Sequence, residues 1–166
     1  MSTLVRAVTA EDTRALGERV AGLLRAGDLV VLSGDLGAGK TTFTQGIGSG
    51  LGVRGSVTSP TFVISRVHPS LVDGPALVHV DAYRLGGLAE LDDLDLDTSL
   101  AEAVTVVEWG SGVAEALAED RLEVEILRPH GDADPQGETR TLRVTPVGVR
   151  WSEVDLERAL RPAPDA

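Results

Sequence analysis

A glycine-rich segment of eight residues constrains the fold of this chain more than any other feature. It runs from Gly34 to Thr41 and matches the pattern G-x-x-x-x-G-K-[ST]. An apolar run over 29–32 precedes it, and apolar residues at helical spacing follow from about Lys40. A buried strand, a glycine-rich loop and a helix in this order predict a phosphate-binding loop in an α/β fold.

The composition of this segment suits it to hold phosphate. Its glycines let the backbone wrap an anion with the amide N–H groups pointing inward, and the following helix adds a favourable dipole. Lys40 is the only lysine in the chain, since every other basic residue is an arginine. Its compact ammonium group can reach the β- and γ-phosphates of a nucleotide, and the Thr41 hydroxyl can bind Mg²⁺. The predicted nucleotide-binding residues are Gly34, Asp35, Leu36, Gly37, Ala38, Gly39, Lys40, Thr41 and Thr42.

Two acidic residues stand at the ends of predicted strands. Asp81 follows the apolar run over 76–80, and Glu108 follows the run over 104–107. Phosphoryl transfer requires a carboxylate at such a strand end to hold the metal ion or its water. An acid in this place is also a common cap, but beside a phosphate-binding loop we expect at least one of the two to be functional.

Three residues near these acids are weaker candidates. Arg84 can pair with Asp81 or with phosphate. Trp109, directly after Glu108, can stack on a ring beside the site or simply fill core. His79 lies between two apolar strand residues, and we interpret it as a packed, hydrogen-bonded histidine rather than a general base.

Two further segments have a functional and a structural interpretation. The sequence over 59–62 is Ser-Pro-Thr-Phe, and from a switch-like loop containing Ser59 the hydroxyl of Thr61 can reach a metal ion or γ-phosphate. The structural alternative is an ordinary strand start after proline. The acidic run over 90–97 is interpreted most simply as a solvated helix face.

The rest of the pattern completes an α/β domain. Thr9 and Asp12 form a capping box that begins an amphipathic helix, and this helix is predicted to end at Gly27. Helices are also predicted at 88–96, 113–117 and 151–160, and a strand at 62–67. Apolar and polar residues alternate over 122–126 and 142–144, which predicts an antiparallel pair. The predicted fold is a P-loop NTPase-like three-layer α/β fold with a mostly parallel central sheet and an antiparallel C-terminal strand pair on its edge.

The length indicates a single domain, because 166 residues fall within the usual size of one. We expect one P-loop domain over 1–166. Its predicted parts are an N-terminal helix region at 1–27, a nucleotide-binding core at 28–118, antiparallel strands at 119–149, and a C-terminal helix and tail at 150–166.

Charge and composition narrow the classes of function. Lys and Arg number 15 against 26 Asp and Glu, which gives a net charge of −11. Nucleic-acid binding depends on basic side chains, so a chain this acidic is a poor candidate for binding RNA or DNA alone, and any nucleic acid is expected to be bound by a partner. With no cysteine, no apolar stretch long enough to span a bilayer and no secretory signal, we expect a cytoplasmic protein.

Sequence motifs discriminate between kinds of nucleotide protein. A signalling GTPase needs an Asn-Lys-x-Asp element, which is impossible here because Lys40 already belongs to the loop. The Ser-Gly-Gly signature of ABC-type ATPases is absent from the sequence. A small-molecule kinase remains the alternative, in which Arg66 or Arg84 would clamp a substrate, although the chain has no cluster of lid arginines.

Four sequence blocks in order resemble the TsaE (YjeE) family, the bacterial ATPases of tRNA threonylcarbamoyladenosine biosynthesis. The resemblance covers most of the chain, and Thr13 with Leu16-Gly17 is similar to the N-terminal helix of the family. The four blocks are Gly34-Asp35-Leu36-Gly37-Ala38-Gly39-Lys40-Thr41-Thr42-Phe43, Ser59-Pro60-Thr61-Phe62, His79-Val80-Asp81-Ala82-Tyr83-Arg84-Leu85 and Val107-Glu108-Trp109.

The resemblance implies an activity and partners beyond what the residues indicate by themselves. Such proteins bind ATP with Mg²⁺ and hydrolyse it slowly. They act with TsaB and TsaD, and TsaD modifies the adenosine 3′ of the anticodon, so these partners are expected to bind the tRNA. The acidic run over 90–97 then has an alternative interpretation as a docking surface for a partner.

The resemblance also implies roles for individual residues. Lys40 and Thr41 would hold phosphate and Mg²⁺, Glu108 would complete the metal site and Asp81 would support hydrolysis. Thr61 and Ser59 would belong to the switch-like loop. Trp109 would sit beside the site, Arg84 would support it, and Thr13 in the N-terminal helix is the candidate for contact with adenine.

Overall fold

A computed structural model describes residues 2–34, 39–53, 65–81, 102–108, 119–128 and 139–161. The strands in these ranges are β1 (Thr3–Ala7), β2 (Leu29–Gly34), β3 (Ser65–His68), β4 (Ala76–Asp81), β5 (Ala103–Glu108), β6 (Arg121–Leu127) and β7 (Arg140–Val147). The helices are α1 (Ala10–Ala21), α2 (Lys40–Leu51) and α3 (Leu156–Ala159), with a 3-10 turn at Val149–Trp151. None of these helices is long and apolar enough to cross a bilayer.

The described strands form one sheet in the order β1-β7-β6-β2-β5-β4-β3. The central strands β6, β2, β5 and β4 are parallel neighbours, whereas β7 pairs antiparallel with β6 and β3 pairs antiparallel with β4. The predicted α/β class, the mostly parallel sheet and the antiparallel C-terminal pair are confirmed. The strand β2, which leads into the glycine-rich loop, lies in the middle of this sheet.

The sequence patterns missed β1, which pairs antiparallel outside β7 and is the outermost strand on that side. In this short strand Val5 lies opposite Leu142, but the neighbouring Leu4 is 62% exposed. An exposed leucine obscures the alternation of apolar and polar residues that identifies a strand facing a core on one side. The N-terminal region therefore contains a strand as well as the predicted helix.

Helix α1 begins where predicted but ends earlier. The Thr9 side chain accepts a hydrogen bond from the Asp12 N–H, and the Asp12 side chain accepts one from the Thr9 N–H, so the capping box is confirmed. The predicted end at Gly27 is wrong, because Gly22 caps the helix after Ala21. Two tight turns follow the cap and bury Leu24 without continuing the helix.

Glycines let α1 and α2 cross with their backbones in contact. A Cβ atom on Gly46 of α2 would overlap the carbonyl group of Arg14 in α1, and a Cβ on Gly17 would overlap the carbonyl oxygen of Phe43. These glycines lower the intrinsic helix propensity. The close packing compensates by letting Phe43 and Ile47 become fully buried.

The core lies between these two helices and one face of the sheet. Buried side chains from β2, β5, β6 and β7 pack there against α1 and α2, as do Trp151, Leu156 and Leu160 from the C-terminal segment. Residues that point to the opposite face, such as Val31, Val80 and Val107, are buried as well. Both faces of the central strands are therefore covered, as a near-continuous apolar sequence requires.

The predicted helix over 151–160 is wrong in extent. The chain instead forms the 3-10 turn and then α3, because the Asp155 side chain accepts a hydrogen bond from the Arg158 N–H and starts a new helix. Both pieces still bury their apolar residues. The helices predicted at 88–96 and 113–117, and the first part of the strand predicted at 62–67, lie outside the described residues.

A buried ion pair fixes the C-terminal segment to the turn before β2. The guanidinium group of Arg150 donates to both carboxylate oxygens of Asp28, at 3.1 and 3.0 Å, and to the carbonyl oxygen of Leu23 at 2.7 Å. It also lies 4.2 Å from the centre of the Trp151 ring. This contact joins residues 122 positions apart, and the strand that leads into the loop starts directly after it.

Candidate nucleotide site

The two ends of the glycine-rich loop lie at the carboxyl end of β2. Gly34 is the last residue of β2, and Gly39 precedes α2 in a left-handed conformation with φ of +105°. Glycine adopts this conformation without steric cost, whereas other residues are strained in it. The predicted strand–loop–helix arrangement is therefore present at the described ends of the loop, and residues 35–38 lie outside the described residues.

Lys40 folds back towards the strand that precedes the loop. Its Nζ atom donates a hydrogen bond to the Gly34 carbonyl oxygen at 2.8 Å, and the residue is buried with 7% exposure. A buried ammonium group is costly unless it is paired, and the carbonyl oxygen lowers that cost. This contact holds the cation at the point where the loop leaves the sheet and returns to α2.

The first turn of α2 is suited to an anion. Gly39 offers no side chain as a cap, and the turn contains no acidic residue. The first N–H groups of a helix have no partner within it and carry the positive end of its dipole. The turn is anchored from within, because the Thr44 hydroxyl donates to the Lys40 carbonyl oxygen at 2.8 Å. Thr41 and Thr42 are half-buried in this turn.

The two predicted acids lie side by side at the same edge of the sheet. Asp81 is paired in register with Glu108 on the neighbouring strand, and Glu108 is paired in register with Leu32 of β2. Gly34 lies two residues beyond Leu32, so the loop starts beside both acids. Glu108 is only 3% exposed. The side chain of Asp81 lies outside the described residues.

The Glu108 carboxylate has a close neighbour that the sequence patterns did not connect with it. Its Oε1 atom lies 3.1 Å from Nε2 of His79, which is completely buried. The two atoms are close but poorly aligned, since neither has a well-formed hydrogen bond within the described part of the chain. His79 is packed in the core as predicted, but the predicted hydrogen bond of its ring is not formed among the described residues. The sequence did contain a signal for this contact. His79 lies two residues before Asp81 in one strand, so the two positions share the face of the sheet on which Glu108 lies.

Thr13 lies next to the end of the loop. Its methyl group is 3.9 Å from the point where a Cβ atom of Gly39 would stand, and the residue is 2% exposed. Its hydroxyl donates to the Thr9 carbonyl oxygen in its own helix at 3.5 Å. Its contact with adenine stays a prediction. The predicted roles of Ser59, Thr61, Arg84, Trp109 and the acidic run over 90–97 concern residues outside the described ranges.

The donor atoms of this site fit a magnesium ion. Mg²⁺ takes oxygen ligands and binds through one or two protein groups together with phosphates. The buried carboxylate of Glu108 lies at the end of β5 at this edge of the sheet, and Thr41 supplies a hydroxyl group at the start of α2. The carboxylate and the hydroxyl therefore provide the oxygen ligands that such an ion requires.

Comparison with known proteins identifies the family. The model of the family described as "Threonylcarbamoyl adenosine biosynthesis protein TsaE" matches residues 7–136. The chain belongs to the TsaE family. The match includes the glycine-rich loop, both strand-end acids and His79, so the family assignment and the described geometry concern the same residues.

Curated TsaE proteins are similar over most of their length. The tRNA threonylcarbamoyladenosine biosynthesis protein TsaE of Streptomyces coelicolor is 65% identical over 144 residues, which cover 86% of this chain and 96% of that protein. The protein of the same name from Bacillus subtilis is 39% identical over 148 residues, covering 88% and 87%. These proteins place the TsaE family in the biosynthesis of this modified tRNA nucleoside.

A solved structure shares the fold. The crystal structure of Bacillus subtilis YdiB matches with a TM-score of 0.70 and 34% identity, and the match covers 91% of this chain and 89% of that one. The α/β architecture of this TsaE-family chain is thus found in an experimentally determined relative.

Proposed function

We propose that this chain binds ATP with Mg²⁺ at the glycine-rich loop and hydrolyses it slowly in the formation of threonylcarbamoyladenosine in tRNA. The observation that carries the proposal is the position of Lys40, whose buried Nζ atom lies 2.8 Å from the Gly34 carbonyl oxygen at the carboxyl edge of the sheet. The uncapped first turn of α2 lies at the same place, and Glu108 ends the neighbouring strand.

Lys40 is proposed to exchange one partner for another when nucleotide binds. The Gly34 carbonyl oxygen carries only a partial negative charge, whereas the β- and γ-phosphates of ATP carry full charges. A charge-assisted hydrogen bond is about twice as strong as a neutral one, so the ammonium group should turn from the carbonyl to phosphate. Before nucleotide binds, the Gly34 carbonyl oxygen keeps the buried ammonium group in position.

The remaining residues are proposed to divide between the metal ion and the attacking water. Thr41 and Glu108 would hold Mg²⁺, which when bound offsets phosphate charge. Asp81, beside Glu108 in register, would support hydrolysis, in which water attacks the γ-phosphorus as the bond to the β-phosphate oxygen breaks. Ser59 and Thr61 are proposed to act from the switch-like loop, with Arg84, Trp109 and Thr13 in support.

The chain is proposed to act with the TsaB and TsaD proteins in the cytoplasm and to meet tRNA only through them. Its net charge of −11 favours this arrangement, because a surface of that sign repels the phosphate backbone of RNA. The nucleotide is attracted by local donors instead. Surface charges further away are screened over about 8 Å at physiological salt, so the loop can bind an anion on an acidic protein.

The test is release of phosphate from ATP and from GTP by the purified chain with Mg²⁺, first alone and then with TsaB, TsaD and tRNA. The proposal predicts slow hydrolysis of ATP that responds to these partners. A rate of hydrolysis that does not change when the partners are added, or transfer of the γ-phosphate to a small acceptor, would favour a small-molecule kinase. Lys40→Met serves as the matched control, because it keeps most of the length of the side chain and removes its charge.

A further inference from the structure

His79 and Glu108 meet because of the register of the parallel strands that carry them. His79 of β4 lies opposite Val106 of β5, and Asp81 lies opposite Glu108. Side chains at every second position of a strand share a face. His79 and Glu108 are therefore diagonal neighbours on one face, which is the face that packs Val106 against α1 and α2.

The surroundings of His79 give no packing reason for an imidazole. The side chains next to it on this face include Leu77 and Val106, both fully buried and apolar. Both ring nitrogens are buried without a well-formed hydrogen bond among the described residues, and burial of unpaired polar atoms lowers stability. Within those residues, the polar side chain in ion-pair range of the ring is Glu108.

The pair is close enough to bond but misaligned. Nε2 and Oε1 are separated by 3.1 Å, which is a normal hydrogen-bond length. The angle between the N–H bond and Oε1 is therefore the feature that is unfavourable for a hydrogen bond. Hydrogen bonds of active sites are often poorly aligned without substrate and tighten when it binds.

We propose that His79 is a positioning residue that holds the Glu108 carboxylate through an Nε2–H···Oε1 hydrogen bond. This inference rests on the proposed function, in which Glu108 faces the metal ion of the bound nucleotide. The bond occupies Oε1 and leaves Oε2 for the metal. Hydrogen bonds to metal-binding carboxylates commonly contribute 10- to 100-fold to metal affinity or activity, and we expect His79 to act within this range.

A matched pair of variants separates the hydrogen bond from the packing. In His79→Gln the amide nitrogen stands about where Nε2 stands and can donate to Glu108. In His79→Met the side chain is as long as that of glutamine but has no hydrogen-bond donor. The readout is the Mg²⁺ concentration that gives half-maximal binding of fluorescent ADP, with kcat measured beside it. His79→Met should raise this concentration at least about 10-fold, and His79→Gln by no more than about 3-fold.

Two further measurements keep the result interpretable. The midpoint of thermal unfolding of each variant shows whether it is folded, and His79→Asn, whose amide is too short to reach Glu108, replaces His79→Met if that variant fails to fold. In a Glu108→Gln background, His79→Met should leave the Mg²⁺ dependence unchanged, because the carboxylate that it positions is gone.

The outcomes distinguish this inference from the function on which it rests. A wild-type chain that binds no nucleotide removes the proposed function and this inference with it. Normal binding by the wild type, with equal shifts or no shift in His79→Gln and His79→Met, overturns the positioning role alone. A loss of thermal stability in His79→Met without a change in Mg²⁺ dependence would assign His79 to packing.

Discussion

A single methyl group at Gly46 should separate α1 from α2, the helix that follows the glycine-rich loop. The added Cβ would overlap the Arg14 carbonyl oxygen and lie 2.9 Å from the Arg14 carbonyl carbon and 3.1 Å from its Cα. All three atoms belong to the backbone of α1, so no side chain can move aside. Overpacking of this kind costs about 3 kcal/mol, whereas Ala in place of Gly favours a helix by about 1 kcal/mol. Gly46→Ala should therefore lower the free energy of unfolding by about 2 kcal/mol.

Thermal unfolding followed by circular dichroism measures this effect. For a chain of this size, about 2 kcal/mol corresponds to a fall in Tm of about 4–8 °C. Gly74→Ala is the control, because a Cβ there meets only Ser70 Oγ at 3.6 Å and Val72 Cγ2 at 4.0 Å. Its Tm should stay level or rise slightly. If Gly46→Ala matched or exceeded the wild-type Tm, the backbone contact between α1 and α2 would be refuted.

Three other substitutions test the anchor and the site. Arg150→Ala leaves the buried Asp28 carboxylate without its cationic partner, and it should lower the free energy of unfolding by about 3 kcal/mol in urea titrations. An unchanged midpoint would show that the pair contributes nothing. Lys40→Ala should weaken ATP binding measured by fluorescence at least about 100-fold while the fold remains intact, and undiminished binding would exclude Lys40 from the site. Glu108→Gln should reduce phosphate release at least about 10-fold with little change in Tm, and turnover that falls only in proportion to stability would argue against a metal-binding role.

Local patterns were sufficient where neighbouring residues determine the structure. The capping box of Thr9 and Asp12 and the glycine-rich segment need only adjacent residues, and the structure has the capping box and the described ends of the segment where predicted. The buried strands β2, β4 and β5 were also predicted correctly from local sequence, because strands covered on both faces are apolar at nearly every position. The two acids were found because each follows such a strand.

Two of the features that were missed depend on contacts between distant residues, and two others depend on local turns and caps. The edge strand β1 is stabilised by pairing with β7, and the pattern of its own five residues does not predict that partner. The end of α1 and the division of the C-terminal helix are set by turns and caps that compete with helix propensity. The contact of His79 with Glu108 requires the register between β4 and β5, which one sequence does not specify.

The central claim is that the loop from Gly34 to Thr42 binds a nucleotide through Lys40, and isothermal titration of ATP with Mg²⁺ tests it most directly. The wild-type chain should bind one ATP per molecule. Lys40→Ala should bind at least about 100-fold more weakly, since the variant loses a buried charge-assisted contact to phosphate. Equal affinity of the two proteins for ATP, or no binding by the wild type, would contradict the account.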